Sequence, residues 1–184
     1  MRRYPLALLV SLSLLAGISA TASAEVKQLG GNATSQDIIK GLSPAPGAPA
    51  LKFRGLRVLN SDPAAATEAP APAVAVDIKF ALNSAELSDD AKNIIKQIAI
   101  AIQSQQLASY HFLLEGHTDT TGQPGHNLAL SKRRAEAVRD YLVRNYSIDA
   151  SRLDAIGRGQ EMLLDPANPT SPANRRVQIV NLGQ

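Results

Sequence analysis

Tyr110-His111-Phe112-Leu113-Leu114-Glu115-Gly116-His117-Thr118-Asp119-Thr120-Thr121-Gly122 alternates cleanly and then breaks into a polar loop. In an extended chain Tyr110, Phe112 and Leu114 share one face, and His111, Leu113 and Glu115 the other. The spacing predicts a strand over Tyr110 to Gly116. Gly116 and Gly122 allow tight backbone around Asp119, just past the strand end. A long helix follows, roughly Asn127 to Tyr146. Asn127, Leu130, Arg134, Val138 and Tyr141 fall within a sector of about 100° on it, while Lys132, Arg133, Arg139 and Arg144 point away. Arg134 therefore lies on the face to be buried. An unpaired guanidinium there is costly, so a carboxylate partner is expected, and Asp119 in the preceding loop is the one on offer.

Two readings of that pair stand side by side. Asp119 and Arg134 form a structural ion pair, or they hold the two ends of a zwitterion. In the second, Asp119 accepts from an ammonium while the planar guanidinium of Arg134 grips a carboxylate. Spacing alone does not choose.

Working outward, Val74 to Phe80 alternates with Val and Ile at even positions and predicts another strand. Ser88 is placed to cap a helix whose first turn carries Asp89 and Asp90. Its apolar stripe is Ala91, Ile94, Ile95, Ile98, Ala101 and Ile102. Leu153 to Gly157 and Arg176 to Leu182 supply two more short strands, separated by a Pro-rich loop at 166–172. Residues 74–184 thus read as one folded α/β unit.

Upstream the texture differs. Arg2 and Arg3 precede an apolar run from Leu6 to Ile18 and then Ala22-Ser23-Ala24, the pattern of a cleavable secretory signal over residues 1–24. That run is well short of the ~20 residues a spanning helix needs, so no transmembrane segment is expected after cleavage. Residues 25–73 hold six of the eleven prolines and read as a Pro/Ala-rich tether with local structure at most. Within it, Thr34-Ser35-Gln36-Asp37 before Ile38, Ile39 and Leu42 suggests one or two capped helical turns, and Leu51 to Leu59 a short strand. Of the 19 basic and 16 acidic groups, Arg2 and Arg3 fall in the signal, which leaves 17 against 16 beyond it. That balance argues against a nucleic-acid binder. With no cysteine there are no disulfides, no Cys-ligated zinc, no thiol nucleophile and no lipid-bearing cysteine.

Four segments carry a resemblance: Phe80-Ala81-Leu82-Asn83-Ser84-Ala85-Glu86-Leu87, His117 to Gly122, Asn127 to Ala135, and Asn174-Arg175-Arg176-Val177. In this order and spacing, Val74 to Gln184 resembles the OmpA C-terminal-like peptidoglycan-binding family, which includes the C-terminal domains of OmpA porins, the Pal lipoproteins and the MotB stators. The resemblance implies an α/β (α+β) two-layer sandwich with a mixed sheet of about four strands and helices packed on it. It implies no enzymatic activity and no cofactor, but non-covalent binding of the diaminopimelate residue of peptidoglycan stem peptides. The principal contacts fall on Asp119 and Arg134, with looser ones on Asn83, Thr118, Leu130, and Arg175 or Arg176. It further implies an exported, periplasmic or outer-membrane-associated protein that anchors the cell envelope. Three departures stand out: His126 in place of the usual aromatic, Thr170-Ser171-Pro172-Ala173 in place of the usual Gly-Arg, and Arg158 between Gly157 and Gly159.

Other function classes find less support in the residues. His111, His117 and His126 could be read as metal ligands, but His111 and His117 stand roughly 20 Å apart along a straight strand. No G-x-S-x-G elbow or Ser/His/Asp arrangement points to a serine hydrolase. A periplasmic protein-interaction or stator-like adaptor is the other class. There Lys52, Arg54 and Arg57 in the tether would dock an envelope protein or outer-membrane partner.

Overall fold

The computed structural model describes residues 26–44, 71–78, 80–81 and 83–184. The expected signal segment, the expected strand at Leu51 to Leu59 and most of the Pro/Ala stretch lie outside the described residues. Among these residues five strands and three helices follow in the order β1 (Lys27–Leu29), α1 (Ser35–Leu42), β2 (Ala73–Val76), α2 (Asp89–Ile102), β3 (His111–His117), α3 (Pro124–Tyr146), β4 (Leu153–Gly159) and β5 (Val177–Gly183). The strands form one mixed sheet, ordered β1-β2-β5-β3-β4. β1 runs parallel to β2 and β3 parallel to β4, while β5 is antiparallel to both its neighbours. The expectation of an α/β sandwich on a mixed sheet holds, with a fifth strand added at one edge.

Register explains the core. Val74 faces Ile179, Ile179 faces Leu114, and Leu114 faces Ala155, so one row of apolar side chains crosses the sheet on a single face. Ile94, Ile95, Ile98 and Ile102 of α2 join Ala135, Val138 and Leu142 of α3 in the same cluster. Phe112 and Leu114 are buried in it, as alternation in β3 predicted. Ser88 caps α2 by accepting from the Ala91 N–H, as expected.

The N-terminal stretch corrects the composition reading. Thr34 and Asp37 form a reciprocal capping box, and α1 buries Ile38 and Leu42 completely. β1 adds to the sheet edge beside β2, and Asn181 Nδ2 donates to the Leu42 carbonyl at 2.8 Å. Residues 27–42 therefore belong to the same core as the strands after residue 72. Proline content hid this, because within residues 25–73 the prolines begin only at Pro44, after α1 ends.

β2 also stops earlier than the expected Phe80. The Ile78 N–H turns back to the Val76 carbonyl, which takes the chain out of the sheet. Phe80 instead forms an isolated bridge with Leu87, closing a loop between them.

Two glycines set how closely α3 lies on the sheet. A Cβ on Gly157 would come within 2.6 Å of Leu128 O, Lys132 N and Ser131 Oγ, and one on Gly116 would overlap the Ser131 carbonyl. The helix backbone thus rests directly on β3 and β4. Ser131 Oγ accepts from the Gly159 N–H at 2.9 Å in the same contact.

Candidate functional site

Asp119 sits where the loop leaves β3, and it is buried with Thr118 and His117. The strand-end backbone is pinned from three sides. His117 N donates to Arg176 O, Thr118 N to Gly159 O, and Thr120 N to Pro169 O. Asn127, at the start of the buried stripe of α3, clamps the loop from below. Its amide donates to Asp119 O, Thr121 O and Gln160 Oε1, the last at 2.8 Å. Of the Asp119 carboxylate, Oδ1 accepts from Thr121 N at 3.0 Å and Oδ2 from Arg175 Nη1 at 2.7 Å. Burial works to raise this carboxyl, but the Arg175 guanidinium and Thr121 outweigh it and hold it below the ordinary aspartate value.

Arg134 lies on the buried face of α3, as the helical spacing predicted. Its partners are not the expected ones. Nε donates to Ser84 O at 2.9 Å and Nη2 to Ala81 O at 3.3 Å. The guanidinium also stacks over the Phe80 ring, 4.9 Å from its centroid. No carboxylate pairs with Arg134 among the described residues. Backbone carbonyls and an aromatic face stand where a carboxylate was expected. Burial, and then the nearby charge of Arg175, still draw its pKa below the ordinary arginine value, against the pull of Asp119.

The loop that supplies these carbonyls is built for the purpose. Ser84 N donates to Ala81 O, and Glu86 N to Ser84 Oγ. Asn83 takes the left-handed conformation at φ 53, and its Oδ1 meets His126 Nε2 at 2.8 Å. His126, the departure from the usual aromatic, thus ties the first turn of α3 to the loop around Arg134.

Asp119 pairs with Arg175, both lie near enough to Arg134 for their charges to act on it, Asn83 reaches the first turn of α3 through His126, and Thr118 is buried beside Asp119. Leu130, one turn before Arg134, is buried but lies outside the main core cluster. The consecutive residues Asn174, Arg175 and Arg176 divide their roles. Asn174 Nδ2 donates to the carbonyls of Asp165, Asn168 and Pro169 and so shapes the Pro-rich loop. Arg175 reaches Asp119. Arg176 turns away and donates to Met162 O and Gln178 Oε1, in a buried group with Glu115 and His117. Arg158, another departure, closes on Glu115 Oε1 at 2.6 Å. Phe80, Asn127 and the carbonyls of Ala81 and Ser84 were not singled out from sequence. Only Asn127 left a trace there, as a polar residue in an apolar stripe.

His111, His117 and His126 do not converge, and no group of three His, Asp or Glu among the described residues is arranged for a metal. No helix among them is long and apolar enough to cross a membrane.

Residues 79–177, just over half of the 184, match the model of the OmpA family. The chain belongs to that family. Family relatives include outer membrane porin F of Pseudomonas aeruginosa, 36% identical over 107 residues that make up 57% of this chain and 30% of porin F. The peptidoglycan-associated lipoprotein of Mesorhizobium japonicum is 39% identical over 87 residues, 46% of this chain and 48% of the lipoprotein. This chain therefore spans under a third of one and about half of the other. Among solved structures, the OmpA-like domain of FopA1 from Francisella tularensis superposes with a TM-score of 0.51 at 19% identity, covering 74% of this chain and 94% of that domain. At that identity the likeness supports the fold alone.

Proposed function

We propose that this OmpA-family chain is a non-enzymatic cell-envelope anchor that binds peptidoglycan non-covalently through the diaminopimelate residue of the stem peptide. The supporting observation is Arg134: a buried guanidinium, held by neutral groups, with a carboxylate beside it that it does not pair. An amino-acid end carries an ammonium and a carboxylate a short distance apart. Asp119 accepts from the ammonium and Arg134 donates to the carboxylate. Thr118, Asn83 and Leu130 form the walls around the two charges, and Arg175 stands at the mouth. Arg176 supports the loop from the far side of the sheet. The relatives named as outer-membrane proteins and as a peptidoglycan-associated lipoprotein support a periplasmic, outer-membrane-associated location.

One amino-acid-sized ligand makes few contacts, so single-site affinity is modest, and retention comes from the dense array of sites on the wall. The test is sedimentation with purified sacculi. Asp119→Ala and Arg134→Ala each remove a charge-assisted contact worth about 1.5–3 kcal/mol, or roughly tenfold or more in affinity. Asp119→Asn serves as the isosteric control, and melting curves check that each variant is folded. Wild-type sedimentation by folded Asp119→Asn and Arg134→Ala proteins would refute the assignment.

A further inference from the structure

We propose that Arg175 is a displaceable stand-in for the ligand's ammonium, seated on the same oxygen of Asp119 that the ammonium needs. This rests on the zwitterion reading of the site and adds a selection step to it. Asp119 Oδ1 is committed to the Thr121 N–H, so Oδ2 is the oxygen left for a cation. Arg175 Nη1 sits on Oδ2 at 2.7 Å. The two partners are held very differently. The Asp119 side chain is 10% exposed, while that of Arg175 is 46% exposed. Arg175 has its backbone N–H fixed to Pro172 O, but among the described residues its guanidinium makes no hydrogen bond except the one to Asp119. It can swing into water without breaking anything else.

An entering zwitterion therefore exchanges one cation for another on Oδ2 while its carboxylate goes to Arg134. A ligand with a carboxylate and no cation cannot make the exchange. It meets Arg134 and Arg175 as two positive charges and leaves the Asp119–Arg175 pair in place. The site thus discriminates by whether the ligand brings its own cation. Arg175 lowers the affinity for zwitterions and raises it for plain carboxylates.

That sign reversal is the test. The purified chain and its Arg175→Gln variant are titrated by calorimetry with meso-diaminopimelate and separately with pimelate, which has the carboxylates and no ammonium. Freeing Asp119 from a half-exposed ion pair makes Arg175→Gln bind diaminopimelate about two- to fivefold more tightly, while pimelate binds more weakly. Arg175→Lys, which keeps the charge as a single mobile donor, falls between. Weaker binding of both ligands by Arg175→Gln would make Arg175 a direct or structural support and overturn the proposal. Unchanged binding of both would overturn it equally. If wild type binds diaminopimelate and the reversal is missing, the stand-in fails and the zwitterion site survives. If neither protein binds diaminopimelate, both fail together.

Discussion

Acidifying this protein from pH 7 to pH 5 removes about 2 kcal/mol of its stability through one side chain, His117. The ring is 1% exposed, and among the described residues neither nitrogen makes a well-aligned hydrogen bond, the Met162 backbone giving the smallest of the pulls on it. Burial first, then the positive charges of Arg176 and Arg158, push its pKa from 6.5 down to about 3. Glu115 Oε2 lies 4.0 Å from Nε2, but a neutral ring forms no ion pair with it. In the unfolded chain the imidazole titrates near 6.5. A depressed folded value means that the stabilising contribution is complete above 6.5 and is lost as pH falls toward 3. Between those limits the unfolded state binds one more proton than the folded state, a loss of about 1.4 kcal/mol per pH unit. From pH 7 to 5 that integrates to about 2 kcal/mol, or roughly 4–8 °C in melting temperature for a domain of this size. Asp119 and the other depressed carboxyls, Asp37, Asp89 and Asp149, act essentially below their ordinary value of 3.8, so this window isolates the histidine. Urea denaturation at pH 7, 6 and 5 measures the slope, and His117→Gln, which cannot titrate, flattens it whatever its own stability. Equal slopes in the two proteins would refute the reasoning.

Two further outcomes follow from packing. Gly157→Ala places a methyl group against the α3 backbone at 2.6 Å, costing about 1–3 kcal/mol by overpacking, and weakens sacculus binding because Arg134 rides on the displaced helix. Urea midpoints and sedimentation check both effects. Ile38→Ala, fully buried in α1, costs about 2–5 kcal/mol in the same urea assay, whereas a tether on the outside of the domain would give no change.

What the sequence revealed follows from periodicity, and what it hid follows from partners without side chains. The faces of β3 and the stripes of α2 and α3 are carried by side chains at fixed intervals, and these were legible. β1 is Lys-Gln-Leu, three residues with no alternation to read, and its partner β2 lies more than forty positions away. The position of Arg134 was legible because it interrupts an apolar stripe. Its partners were not, since the carbonyls of Ala81 and Ser84 would be there with almost any residues in those places. Arg175 and Arg176 are adjacent and identical. Only the turn before β5 decides that the first reaches Asp119 and the second goes under the sheet.

The failed expectation about Arg134 bears directly on function. Had Asp119 and Arg134 met, each would have satisfied the other, and a ligand would have to break a buried pair before gaining anything. Here the two charges are oriented separately. The Phe80–Leu87 bridge and the left-handed Asn83 hold two carbonyls on the guanidinium, while Asn127 and Thr121 hold the loop and one oxygen of the aspartate. Carbonyl dipoles orient a guanidinium without neutralising it, so under the proposed function Arg134 keeps its charge for an incoming carboxylate. The same reasoning makes Ser84 and Ala81 indirect determinants of affinity, through backbone geometry alone. A loop change that preserved every charged residue but lost the turn at Asn83 would therefore weaken the site as a charge deletion does.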